Sequence, residues 1–209
     1  MRRLALSILA LSLATSLSGA PTQTPGQPDP ARVEAGTYAA DPLHTLVGWR
    51  VNHMGFNDYF GLLGSITGSL VIDPAHLDQA RVAVRIPVGK IITASEGLTG
   101  HLLMPSADGG KPDYFGRKPA DALFVSTAVR PDVDGKSAAI DGQLTLNGVT
   151  RPITIAAVFT GAGKNPLTHK QTLGFQGATT IKRSDFGLVR DIPLVGDEVQ
   201  LTISAGFQR

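Results

Sequence analysis

The sequence predicts an all-β domain of about eight antiparallel strands. Three observations carry that prediction. Apolar residues recur with period two from Gly36 onward, turn-forming residues separate the runs, and no helix pairs are patterned to cover an open sheet. Such a set closes as an up-and-down barrel or packs as a sandwich.

The runs follow in order. Val47, Trp49, Val51 and His53 alternate with Gly48, Arg50 and Asn52. Leu62, Ile66, Leu70 and Ile72 share one parity with Gly64 and Gly68, and glycines so placed permit sharp coiling or close backbone approach. Val82, Val84, Ile86 and Val88 come next, then the apolar run Phe124 to Val129. Ile140, Leu144 and Leu146 share a parity, as do Ile153, Ile155 and Phe159. Leu173, Phe175, Thr179 and Ile181 precede a last run of Val199, Leu201, Ile203 and Phe207. Asp73-Pro74, Pro131-Asp132 and Asp134-Gly135 break the runs. Asn147-Gly148 is the sharpest signal, since both residues tolerate the positive φ of a type I′ hairpin. Ser95 to Met104 predicts one short helix, residues 105–121 a loop, and Gly161-Ala162-Gly163 a turn.

The N-terminus carries a processing pattern rather than a strand. Met1-Arg2-Arg3 is basic, Leu4 to Leu17 is uncharged and largely apolar, and Ser18-Gly19-Ala20 is small, so residues 1–20 are expected to be a signal peptide. Residues 21–35, rich in Pro, Gln and Thr, are expected to be a flexible leader, and residues 36–209 one domain. Two of the 19 basic residues lie in the signal and no acid does, which leaves 17 Lys+Arg against 17 Asp+Glu. A neutral mature chain lacks the electrostatic drive for nucleic-acid binding. The absence of cysteine excludes thiol catalysis and thiolate metal ligation. An exported or periplasmic location is the expectation.

Chemistry-bearing motifs are sparse. The five histidines, His44, His53, His76, His101 and His169, form no HExxH or other short metal spacing, and no GxSxG elbow is present. No catalytic residue, metal ligand or cofactor site is assigned, and the expectation is a protein that is not an enzyme. Arg183-Ser184-Asp185 is the most distinctive polar cluster. It is a turn in which Asp185 accepts backbone N–H groups, or else Arg183 holds an anionic head group.

Several segments together resemble the YceI-like family of exported, lipocalin-like lipid-binding proteins. They are Tyr38 to Thr45, Val47 to Phe56, Gly68 to Pro74, His101-Leu102, Gly142 to Pro152, Phe175 to Gly187 and Val195 to Val199, in the family's order. The middle departs from the pattern, with Thr99 to Pro105 and a loop to Lys118-Pro119 in place of a charged helix and a Phe-Phe-Asp-like segment. The resemblance implies an extended eight-stranded antiparallel lipocalin-like barrel holding a long-chain isoprenoid or acyl lipid. It implies neither catalysis nor metal. Homodimerisation and contact with a membrane surface are expectations of the same kind.

A ligand has a physical rationale. The strands carry many small residues and few large aromatics, so a wide barrel would be underfilled. An apolar chain gains roughly 0.8 kcal/mol per buried CH₂, on the order of 8 kcal/mol for ten, before ordering costs. Strand parity nominates Trp49, Val51, Phe124, Leu144, Leu146, Ile153, Ile155, Phe175 and Ile203 as lining, with His53 and His101 against a head group or within the core. Two alternatives stay open: a lipid-modifying enzyme using the cavity histidines, and a stress-related structural or interaction protein with a filled barrel.

Overall fold

The computed structural model describes residues 23–209; the expected signal at 1–20 lies outside the described residues. Ten strands form one antiparallel sheet: β1 (Gly36–Ala40), β2 (Leu46–His53), β3 (Asn57–Leu63), β4 (Thr67–Ile72), β5 (Arg81–Ile86), β6 (Ala122–Pro131), β7 (Ser137–Leu146), β8 (Val149–Lys164), β9 (Gln171–Lys182) and β10 (Val195–Gln208). The predicted helix is α1 (Glu96–Leu102), N-capped by Ser95, whose Oγ accepts from Leu98 N at 3.2 Å.

The ring closes as eight strands because two of them are broken. β1 and β2 both pair along β10, and β4 and β3 pair with β1 and β2 in turn. Residues 36–53 therefore make one interrupted strand and residues 57–72 another. Thr45 bridges the first break. Its buried hydroxyl donates to Gly206 O at 3.0 Å and accepts from Gly206 N at 3.1 Å, so β10 loses no hydrogen bond there. The second break falls at residues 64–66, where Ser65 has φ 55° and Ile66 is fully buried. Beyond it, Gly68 crosses β5 so closely that a Cβ would stand 2.1 Å from Ala83 O. The glycines of this run thus serve a kinked strand packed hard on its neighbour.

Asn147 and Gly148 hold φ 52° and 76°, the two positive values that join β7 to β8 in a tight hairpin. Pro152 pairs with Gln143 on one side, and β9 does not pair with β8 until Ala156. Its missing N–H therefore costs no ladder bond.

The alternation drives apolar side chains to the barrel axis, where two buried groups form. Tyr38, Leu70, Ile72, Phe159, Leu173 and Phe207 gather at the lower end, and Phe124, Leu144, Ile181 and Phe186 higher up. Each such side chain contributes roughly 1.5–3 kcal/mol when fully buried.

Two segments complete the ends. Gly161-Ala162-Gly163, expected as a turn, lies inside β8 at a bulge. Gln27 and Ala162 exchange backbone hydrogen bonds of 3.1 and 2.9 Å, and Pro25 O sits where a Cβ of Gly163 would be. The glycines are small because another chain segment crosses them. The part of the leader between Gln27 and Val33 is thus fastened to the lower end, with a short 3₁₀ turn at Pro30–Arg32. At the upper end, residues 87–121 cover the gap between β3 and β6. Ile92 and Leu62 exchange hydrogen bonds of 2.9 and 3.0 Å, so this segment starts by extending the β3 edge.

Candidate functional site

Two cavities lie end to end on the barrel axis. The lower one encloses about 240 Å³ and the upper one about 410 Å³. Val47, Ile86, Leu144 and Leu201 line both, so the cavities meet at an apolar waist. Together they reach the scale of ligand pockets, roughly 300–1,000 Å³.

Every residue nominated from strand parity faces one of these spaces. Trp49, Val51, His53, His101 and Leu146 line the upper cavity, Leu144 lines both, and Phe124, Ile153, Ile155, Phe175 and Ile203 line the lower one. Sequence reasoning missed Tyr59, Leu98 and Tyr114 in the upper cavity and Val82, Val84 and Ile140 in the lower. Val82, Val84 and Ile140 carried the same alternation as the nominated residues, so parity alone offered the signal for them. Leu98 and Tyr114 belong to the segment over the gap, where no strand period exists.

The lower cavity has aliphatic walls closed below by packed aromatics. The rings of Phe159 and Phe175 lie 5.7 Å apart, and those of Phe175 and Phe207 6.2 Å. Pro30 and Val33 of the fastened leader complete its floor.

The upper cavity is mixed. His53 stacks on Tyr59 at 4.3 Å between centroids, with Nε2 3.2 Å from the tyrosine Oη. His101 meets Tyr114 edge-on at 5.3 Å. Tyr114 donates to Asp191 Oδ2 at 3.1 Å, Arg190 reaches Asp113 at 3.2 Å and Lys111 Nζ donates to Gly187 O at 3.5 Å, so three bonds tie the covering segment to the β9–β10 loop. Burial first, then the bond to the Asp191 carboxylate and its charge, push the Tyr114 hydroxyl up to about 12. It stays a neutral donor at any working pH. The two histidines contact tyrosines, and neither has a carboxylate within hydrogen-bond reach. Among the described residues, Trp49 Nε1 is the one buried side-chain polar atom without a hydrogen-bond partner.

Arg183 borders this cavity from the end of β9 and is only 5% exposed. Its Nε donates to Gly196 O (2.8 Å), Nη1 to Leu188 O (2.6 Å) and Nη2 to Val195 O (2.8 Å), which gathers the loop before β10 around it. Asp197, not Asp185, is the carboxylate of this turn. It accepts from Ser184 N at 2.9 Å and from Ser184 Oγ at 2.8 Å, while Asp185 is exposed. The sequence expectation for Asp185 is corrected: the partner comes from the next strand, twelve residues on, where local turn rules do not reach. No group of three or more His, Cys, Asp or Glu side chains among the described residues is arranged to hold a metal.

A closed eight-stranded antiparallel barrel with an axial cavity defines the lipocalin-like class of binding barrels. The YceI-like domain family matches residues 38–207, and the chain belongs to it. A UPF0312 protein of Pseudomonas fluorescens is 34% identical over 180 residues, covering 83% of this chain and 87% of its own. A UPF0312 protein of Ectopseudomonas mendocina is 33% identical over 172 residues, with 81% and 86% covered. Among solved structures, Burkholderia cenocepacia BcnA superposes with a TM-score of 0.65 at 24% identity, over 80% of this chain and 98% of that one. A polyisoprenoid binding domain from Saccharophagus degradans gives 0.57 at 10% identity, over 84% and 99%. These two similarities carry the fold.

Proposed function

We propose that the protein binds a long apolar lipid, a polyisoprenoid or a fatty-acid-like chain, along the barrel axis and stores or carries it without turnover. One observation carries the proposal: two cavities with largely apolar linings lie next to one another inside the barrel and share Val47, Ile86, Leu144 and Leu201 as their common wall. A chain that fills both buries its CH₂ groups at roughly 0.8 kcal/mol each. The fold shared with a polyisoprenoid binding domain supports the same reading. The test is organic extraction of the purified protein with mass spectrometry, followed by binding of polyprenols and fatty acids to the stripped barrel. Absence of both a copurified amphiphile and any binding overturns it.

The N-terminal pattern supports export to the periplasm, which cell fractionation and sequencing of the mature N-terminus test. Transfer of such a ligand requires a membrane surface. Met54 and Leu194 border the upper cavity, and with Phe56 at the nearby β2–β3 turn they expose apolar side chains for that contact. Phe56→Ser is expected to reduce flotation with vesicles. The homodimer that the family resemblance implies is tested by sedimentation equilibrium.

A further inference from the structure

We propose that the upper cavity is a head-group site for an anion, a carboxylate or a phosphate, bound by the N–H groups of Arg183 that the protein leaves free. The inference rests on the lipid-binding reading and adds to it the chemistry and direction of the ligand.

A guanidinium carries five N–H donors, two on each Nη and one on Nε, and keeps its charge at every pH the fold tolerates. Arg183 spends three of them on Gly196, Leu188 and Val195. One N–H on each Nη has no acceptor in the protein, and charged donors of this kind are what a carboxylate or phosphate oxygen takes. All three recorded acceptors are neutral carbonyls. Among the described residues, no Asp or Glu oxygen lies within 4.0 Å of this side chain. Arg50, Arg85, Arg130, Arg190 and Arg209 each meet an acid, and all five are exposed. The buried arginine is the one without such a partner among these six. A buried charge is costly unless it is paired as well as hydrogen-bonded.

The acids nearby are committed elsewhere. Both oxygens of Asp197 accept from Ser184, and its charge reaches Arg183 only through space, without a hydrogen bond between them. Asp191 accepts from Tyr114 and from Arg190, whose charge offsets its own. What remains open to Arg183 is the cavity it borders. His53, Tyr59, His101 and Tyr114 line the same space and supply polar edges around an anion. The lower cavity offers no equivalent, because its two cations, Arg81 and Lys136, are exposed and hydrated. The head group therefore sits high, and the tail runs down through the waist.

Matched lipids that differ only at the head group test this on the unmodified mature protein. The pairs are palmitate against palmityl alcohol and geranylgeranyl monophosphate against geranylgeraniol. The anion of at least one pair is expected to bind about tenfold to a hundredfold more tightly than its alcohol. A preference confined to one pair tells a carboxylate from a phosphate. Arg183→Met is expected to erase the difference while alcohol binding persists. Arg183 also gathers the loop before β10, so the comparison on the unmodified protein decides the matter even if that variant fails to fold. Equal affinities for anion and alcohol in both pairs overturn the head-group site and leave the lipid reading standing. Failure of all four ligands to bind overturns both.

Discussion

The indole of Trp49 fills the space that a side chain at Gly61 would occupy. The two residues are cross-strand partners in β2 and β3, and a Cβ built on Gly61 would stand 2.3 Å from Cζ2 and 2.5 Å from Nε1 of the ring. This contact explains why Nε1 is buried and finds no partner. The glycine lets a large ring turn along the wall instead of across the cavity.

Gly61→Ala is therefore expected to push the indole out of place and to cost about 1–3 kcal/mol, the scale of overpacking. In a Trp49→Leu background the same alanine is expected to cost little. Denaturant unfolding of the four proteins checks this, since the coupling between the two sites should account for most of the single cost. Trp49 is the only tryptophan, so its emission reports the displacement directly.

Asp197 gives the fold a defined acid sensitivity. Burial alone would raise its carboxyl, but the Ser184 N–H and hydroxyl outweigh that and, with Arg183 and Lys182, hold it below its ordinary value. A carboxyl depressed in the folded state adds stability that is fully present above its unfolded value, about 3.9, and is lost as pH falls through the folded value. Asp197→Asn is expected to lower stability by on the order of 1–2 kcal/mol at neutral pH. The gap to the parent should hold down to about pH 5 and close below about pH 4. A gap unchanged down to acid unfolding would falsify the linkage.

Local pattern carried the fold because a barrel strand states its inside and outside residue by residue. Val47, Trp49, Val51 and His53 needed only their parity, and Asn147-Gly148 only its tolerance of positive φ. What escaped the sequence depends on partners distant in the chain. Gly161-Ala162-Gly163 has the composition of a turn, and its reason is Gln27, which pairs with Ala162 from 135 residues earlier in the chain. Asp185, next to Ser184, is the acceptor that local turn rules nominate, and Asp197 takes that place only once β10 is laid beside it. Tyr114 comes to the cavity from a segment without period, held by Asp191.

The strap from Gln27 to Val33 is expected to act as the floor of the lower cavity. Gln27→Pro removes the N–H that reaches Ala162 O, and the cost of one such bond is about 0.5–1.5 kcal/mol. Local opening of the strap should then raise hydrogen exchange at the Ala162 amide, which donates to Gln27 O. Bound lipid should dissociate faster than from the parent, with little change in the unfolding midpoint. Unchanged exchange at Ala162 would show that the strap is not held by this pair.

The waist sets how much chain the barrel accepts. In the parent, each added CH₂ is expected to tighten binding about fourfold until the tail fills the lower cavity. Leu201→Phe places a ring where the two cavities meet. It should leave short chains unaffected and stop the gain at the length where the tail reaches position 201. Titration of a saturated fatty-acid series against both proteins reads the two slopes. The break also reports direction, because a head group held by Arg183 leaves only the lower cavity beyond the block. A tail entering from below would lose the upper space instead, about 410 Å³ against about 240 Å³, and so would break at a shorter chain. Parallel slopes out to the longest acid would mean that the ligand does not pass the waist at all.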